Sequence, residues 1–430
     1  MQGPSEHGSH VLNNVPEISA FGYSPDVYLD AFEWPAISLH DQNRSASTED
    51  SLSDCDDLHL DLTVDSSGLW PLKTSEEALL FRYFVTDLAP WFDFCDKDRH
   101  FGTMVVQASS TCETLLNAIL SVSARHLSKS GSFDPLASDK YQRKCLQILI
   151  PALNNQHSLL ESTLFAATAI LRLFDEMADP VEDRQSCGHI LGTHILLRAK
   201  ENTTDSSLRA ASLQVALRQE IFISFLTRTP IPPLADYLNI DRTTSPTDDY
   251  TWAVRMIAFT ADVLSFCYGH SGRDTGSWQR LNDYLEEWTR CKPQSFRPIH
   301  YERKGCGYFP KIWFANDCHI GAQLYSDVCR ILLLVHDPRM PSLGLDRSIA
   351  MKRVDNRVRH YVRRMCGVAI SHPQVQPAAS VTGMVIAMCG DRFSEKDEQQ
   401  QLLHILKQSE AHLTWPHLKT HERLSQYWGL

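Results

Sequence analysis

No two cysteines in this 430-residue chain stand closer than Cys318 and Cys329, eleven positions apart. Structural zinc sites close around tightly spaced Cys and His pairs, so this spacing excludes the paired-cysteine metal modules. Glycine-rich phosphate loops are missing too, with no GxxxxGK[ST] and no GxGxxG after a strand. HExxH is absent, which removes the helical zinc-hydrolase pattern. No apolar run approaches the roughly 18 residues of a membrane span; ILLLV (331–335) and VTGMVIAM (381–388) are core-sized, and no membrane association is expected. Met1–Pro16 has neither a basic start nor a continuous apolar run, so no secretory leader is expected. Bases are nearly absent from residues 1–70, where Arg44 stands alone against 13 acids. That segment carries −12, and residues 71–430, with 39 acids and 40 bases, carry +1.

The chain is long enough for a large core or two to three smaller ones. Its 43% apolar and 22% charged content is that of a globular protein. Twelve cysteines without a leader point to a reducing, intracellular setting, in which Cys145, Cys267, Cys329 and Cys389 serve as small hydrophobes inside helical patterns.

Residues 1–72 hold Ser, Asp and Pro clusters with no sustained period and are expected to be a disordered acidic arm. Within it, DAFEWPAISLHD (30–41) and DDLHLDLTVD (56–65) mix acids with Phe32, Trp34, Leu58, Leu60, Leu62 and Val64. Such mixing keeps apolar side chains solvated and available to a partner groove; a plain solvated tail has the same composition.

From Thr74 the pattern takes period 3.6. Thr74 with Glu77 forms a capping box ahead of Leu79, Leu80, Tyr83, Phe84 and Leu88. Ser110 with Glu113 makes a second box before Leu115, Leu116, Ile119, Leu120 and Leu127. Asp134 caps a third helix with Pro135 at its first position, leading through Tyr141, Cys145 and Leu149. Further helices are expected near 158–177, 184–201, 205–228, 249–268, 276–290, 311–336, 346–370, 377–390 and 395–411. Strand-like alternation is scarce and no 30–45-residue repeat recurs, which predicts an all-α fold, an irregular multi-helix bundle or superhelix over 73–430. The glycine-rich break at 269–277 is the best place for a division within it.

Candidate chemistry fails one requirement after another. GHSG (269–272) begins like a nucleophile elbow, but Arg273 occupies the second glycine position and no strand precedes it. Helical terpene synthases hold magnesium and diphosphate between two facing acidic clusters. DDLHLD (56–61) lies in the arm, and NDYLEEW (282–288) and NDC (316–318) lack the second-site spacing, so these read as helix-surface acids. Cys187, His189 and His194 approach a metal set without a fourth ligand. In MKRVDNRVRHYVRRM (351–365), Val354, Val358, Tyr361, Val362 and Met365 form a buried stripe. The bases Lys352, Arg353, Arg357, Arg359, Arg363 and Arg364 then form the wet face, with phosphate binding or nuclear import as the alternative. No residue is assigned a catalytic, cofactor-binding or metal-binding role, and no cofactor is expected.

YFVTDLAPWFDFCDKDRHFGTMVVQASSTCETLLNAILSVSARHLSKSG (83–131) carries a resemblance. With it go HSLLESTLFAATAILRLFDEM (157–177), ASLQVALRQEIFISFL (211–226), TDDYTWAVRMIAFTADVLSFCYG (247–269), FPKIWFANDCHIGAQLYSDVCRILLLVHDPRMP (309–341) and IAMCGDRF (386–393). In order and approximate spacing, about 75–430 resembles the fungal-specific transcription factor domain, the second of its two common types, seen in acetate-regulatory and similar zinc-cluster regulators. The resemblance implies an α-helical regulatory domain acting in the nucleus on transcription, on a metabolic or secondary-metabolite gene set. It implies other transcription factors or coactivators as partners, homo- or heterodimers, and a small-molecule effector. The six-cysteine DNA-binding module that normally precedes this domain is absent, and a −12 arm would be repelled by phosphate backbones. The protein is therefore expected to act through a DNA-binding partner, to carry a module encoded in a missing upstream exon, or to regulate by titrating such a partner. The competing readings are a terpene-synthase-like enzyme and a non-catalytic interaction scaffold.

Overall fold

The computed structural model describes residues 70–155, 161–177, 207–231, 240–269, 274–303, 307–413 and 417–430. Residues 1–69 of the arm expected over 1–72, the helix expected at 184–201, and Cys187, His189 and His194 lie outside them, as do His270 to Arg273 of the hydrolase-like motif. The described residues all fall in one compact unit, Asp65–Leu430.

Helix α1 (Ser75–Tyr83) starts where the sequence places it, with Thr74 Oγ1 accepting from Glu77 N at 3.1 Å. Glu77 reaches back one residue further than a capping box requires, its Oε2 accepting from Lys73 N at 2.6 Å. The chain continues through a π-helical turn, Phe84–Leu88, into α2 (Ala89–Asp93), and the wider turn directs Phe84 and Leu88 into the core. Leu79 is left exposed, because the stripe shifts toward Leu80 and Phe81.

A second π turn and the short α3 (Val106–Ala108) lead to α4 (Glu113–Lys129), whose N-cap is Cys112 without a side-chain bond. The expected Ser110 cap does not form. Ser110 Oγ instead donates to Gln107 O at 2.8 Å, closing the preceding turn. Helix α5 (Pro135–Leu153) follows the expectation, with Asp134 accepting from Leu136 N and Tyr141, Cys145 and Leu149 buried. Then come α6 (Ser162–Glu176), α7 (Ser207–Thr227), α8 (Asp249–Tyr268) and α9 (Thr275–Cys291).

The break between α8 and α9 is no domain division. Trp252 and Trp288, one from each helix, meet edge to face at 6.1 Å, and Trp288 Nε1 donates to Trp252 O. Both helices bury side chains in one core.

The helix expected from residue 311 starts six residues later. Lys311–Trp313 (β2) pairs antiparallel with His300–Glu302 (β1), and Asn316 then caps α10 (Asp317–Val335), its side chain accepting from Cys318 N. This hairpin is the only strand pairing among the described residues. The rest is helical: α11 (Gly344–Ser371), α12 (Gln376–Cys389), α13 (Lys396–Leu413) and α14 (Leu418–Trp428).

Two apolar clusters form the interior. The first gathers α1, α2, α4, α5 and α6 around Leu80, Phe84, Leu115, Ile119 and Ile170. The second gathers α8 to α14 around Trp252, Trp288, Leu324, Val362 and Leu406. Helix α7 serves both, Val215 facing the first and Leu217, Ile221 and Phe225 the second. Helix α10 is long and apolar enough to cross a membrane by composition, yet 83% of that window is buried inside the domain, as befits a central core helix.

Candidate functional site

Helix α7 carries the oddest polar run in the interior. Arg218, Gln219 and Glu220 are consecutive on a helix buried nearly all round, and all three side chains are buried. Burying such groups is costly unless each finds a partner. Glu220 pairs with Arg172 of α6 at 2.8 Å. Arg218 Nη2 donates to the carbonyl of Phe92 at 2.6 Å, and its guanidinium lies 4.5 Å from the Phe94 ring centre. Gln219 Nε2 donates to Ala169 O at 3.0 Å, while its Oε1 has no protein partner.

Arg218 and Gln219 border a half-enclosed cavity of about 60 Å³. Phe92 and Phe94 line it from the α2 end, Glu176 from α6, Tyr325 from α10, and Ser380 and Met384 from α12. It lies where the two apolar clusters meet: Phe92, Leu173 and Val215 belong to the first, and Phe94, Tyr325 and Met384 to the second. Burial drives the Tyr325 phenol well above its ordinary range, so it remains a neutral hydroxyl there.

Next to the cavity, Asp93 accepts from Phe101 N and Gly102 N at 2.9 and 2.7 Å. Burial pushes its carboxyl up to about 6, against the pull of those two bonds. Two histidines also tie helices together, His126 linking α4 to α13 and His417 packing on α12. His126 Nε2 donates to Leu413 O at 2.9 Å, which leaves Nδ1 to accept from Tyr83 at 2.8 Å. His417 sits against Gly383 of α12 with no space for a Cβ, is hydrogen-bonded to the Ala379 backbone, and is pushed down to about 4 by burial.

The sequence candidates fall elsewhere. In α11, Val358, Val362 and Met365 are buried as expected, with Val354 and Tyr361 half-buried. The bases do not all form a wet face. Arg363 makes a two-pronged pair with buried Glu398 at 2.6 and 2.8 Å, and Arg364 binds fully buried Asp327. Lys352, Arg353 and Arg357 stay exposed. The α9 acids are engaged at the surface: Asp283 accepts from Gln279, Glu286 from Arg330, and Glu287 from Thr244.

Cys145, Cys267, Cys329 and Cys389 are all buried, as their helical patterns predict. Burial lifts the thiols of Cys145, Cys329 and Cys389 to about 12, which keeps them protonated. Asp96, Asp98 and His100 bring ligand atoms within 4.8 Å of one another, a grouping the sequence reading passed over. Asp96 is spent on the turn, accepting from His100 N and Nδ1 at 2.9 and 2.7 Å.

The cavity itself was missed. Its only signal in the sequence is the Arg-Gln-Glu run inside the apolar stretch 211–226. Nothing in the spacing says that residues from 91 to 384 meet there.

Residues 79–271 match the fungal specific transcription factor domain. The match takes in α2 to α8, and with them three of the five helices around the cavity; the α10 and α12 wall comes from outside it. The resemblance in 309–341 and 386–393 lies beyond the matched residues. No curated protein and no solved structure matches the chain. A domain of this kind points to a transcriptional regulator working through DNA or regulatory partners, and away from an enzyme.

Proposed function

We propose that the protein regulates transcription in the nucleus by way of protein partners. The carrying observation is the match of residues 79–271 to a fungal transcription factor domain. In this reading residues 1–72 are the contact arm and residues 73–430 the regulatory body. The −12 of residues 1–70 argues against contact with phosphate backbones by the arm and in favour of basic or apolar protein grooves. The acids around Phe32, Trp34, Leu58 and Leu60 supply that chemistry to a coactivator.

Two measurements test the proposal. The fluorescently tagged full chain should enter the nucleus under at least one growth condition, and exclusion under every condition argues decisively against it. Fused to a borrowed DNA-binding domain, residues 1–72 should activate a reporter more strongly than a scrambled segment of equal charge. Equal activation would remove the arm from the proposal.

A further inference from the structure

We propose that the cavity between α2, α6, α7, α10 and α12 binds a small uncharged carbonyl compound whose oxygen accepts hydrogen bonds from Arg218 and the Tyr325 hydroxyl. A short ketone or a tertiary amide has that chemistry.

Three buried side chains leave donors over in the cavity wall. Arg218, Tyr325 and Ser380 line the space and are 8%, 5% and 5% exposed. Arg218 uses Nη2 on the Phe92 carbonyl, while its Nε and Nη1 make no hydrogen bond among the described residues. The Tyr325 and Ser380 hydroxyls make none there either. None of these atoms is sealed from solvent, in contrast to Gln219 Oε1 and Glu176 Oε1. Because each residue is more than nine-tenths buried, the surface these donors keep is the surface they share with the cavity. The reachable groups are above all donors, and their complement is an acceptor.

The guanidinium lies over the Phe94 ring, 4.5 Å from its centre, which leaves the N–H edge free to bond in its own plane. Burial keeps the Tyr325 phenol protonated, and of the charges around it Arg218 acts most strongly, which puts these two donors close together. Charge then decides between a carbonyl and an anion. Glu176 lines the same space, so a carboxylate or phosphate would meet an acid as well as Arg218 in a poorly solvated place. A neutral oxygen takes the same bonds without that repulsion, and a bond from a guanidinium is among the stronger ones.

Phe92, Leu173 and Met384 supply an apolar wall for the body of the ligand. At about 60 Å³ the cavity exceeds what one water needs and falls short of the ~150 Å³ that holds benzene. The occupant is therefore smaller than benzene. Held by Arg218 and Tyr325, it joins α7 to α10 and favours the arrangement in which the two meet. The chemistry of binding does not depend on the regulatory reading; only its use does.

The test is a ligand-observed NMR titration of the full chain with cyclobutanone, set against cyclopentene, which has the same heavy-atom count and no oxygen. Cyclobutanone should bind saturably and about fivefold to tenfold more tightly than cyclopentene. Tyr325→Phe keeps the ring and removes the hydroxyl. It should weaken cyclobutanone about fivefold and leave cyclopentene unchanged. Its Tm should hold, since that hydroxyl bonds nothing among the described residues. Met384→Phe fills the space and should abolish saturable binding of both, so the test survives if Tyr325→Phe fails to fold. Cyclopentene binding as tightly as cyclobutanone overturns the proposal and leaves an unselective apolar space. No saturable binding in the wild type overturns it too, and assigns the leftover donors to trapped water. So does an affinity for cyclobutanone that neither variant changes. None of these outcomes touches the localisation or reporter results, which do not involve the cavity.

Discussion

The two apolar clusters differ in what fills them. The first is built mainly from Leu, Ala, Val, Ile and Phe on tightly packed α4, α5 and α6, and among the described residues holds no buried tryptophan. The second is centred on Trp252, Trp278, Trp288 and a ring of phenylalanines, and is braced by the ion pairs of Arg363 and Arg364 with buried carboxylates on α13 and α10. The boundary between them does not follow the family match. Helix α8 lies inside the matched 79–271, yet Trp252, Met256, Phe259, Val263 and Leu264 all belong to the second cluster. A matched segment and a folding unit are therefore different things here.

The largest expected effect comes from separating them. A fragment ending at residue 271 would bare those five α8 side chains, a loss on the order of 10 kcal/mol, comparable to the whole stability of a typical domain. It should fail to unfold cooperatively in urea, whereas 65–430 should do so. A soluble, cooperative 65–271 fragment would show that the first cluster stands alone.

Within the intact chain, Glu220→Ala leaves Arg172 buried without its ion-pair partner and should cost about 3–5 kcal/mol in chemical denaturation. A loss below 1 kcal/mol would mean that water reaches the pair.

A third comparison sets one titrating group from each cluster's side against the other. The native state holds the Asp93 proton more tightly than the unfolded chain, about 6 against 3.8, so its contribution to stability falls as pH rises from about 4 to 6. His417 is the reverse, about 4 against 6.5, so its contribution is complete above pH 6.5 and is lost as pH falls toward 4. Each amounts to about 3 kcal/mol, and in the wild type they largely cancel. Measured from pH 4 to 6.5, stability should slope more steeply upward in Asp93→Asn than in wild type and less so in His417→Leu. Unchanged slopes in both would refute the assignment.

The smallest effect is Thr74→Ala, which removes the α1 cap for about 1 kcal/mol by the same denaturation assay.

Local features were the legible ones. The cap at Asp134, the stripe Tyr141–Cys145–Leu149 and both ends of α8 follow from spacing alone, because caps and periodicity act within a few residues. The hairpin escaped notice because each strand has three residues, too few for alternation to register. Helix α14 was overlooked because His417, which precedes it, is held by distant Gly383 and Ala379 and not by any local cap. For α11 the apolar stripe was read correctly and the partners of its arginines were not, since Glu398 and Asp327 arrive from other helices.

By itself the sequence determined a helical body, an arm of opposite electrostatic character and a resemblance to fungal transcription factors, because composition and period are properties of neighbouring residues. Only the tertiary structure decided that Arg218, Gln219 and Glu220 would be buried, which two of them would be matched, and that Arg218 and Gln219 would border a cavity. Those outcomes depend on α2, α6, α10 and α12 arriving at one place, and no local pattern encodes a meeting of residues nearly three hundred positions apart.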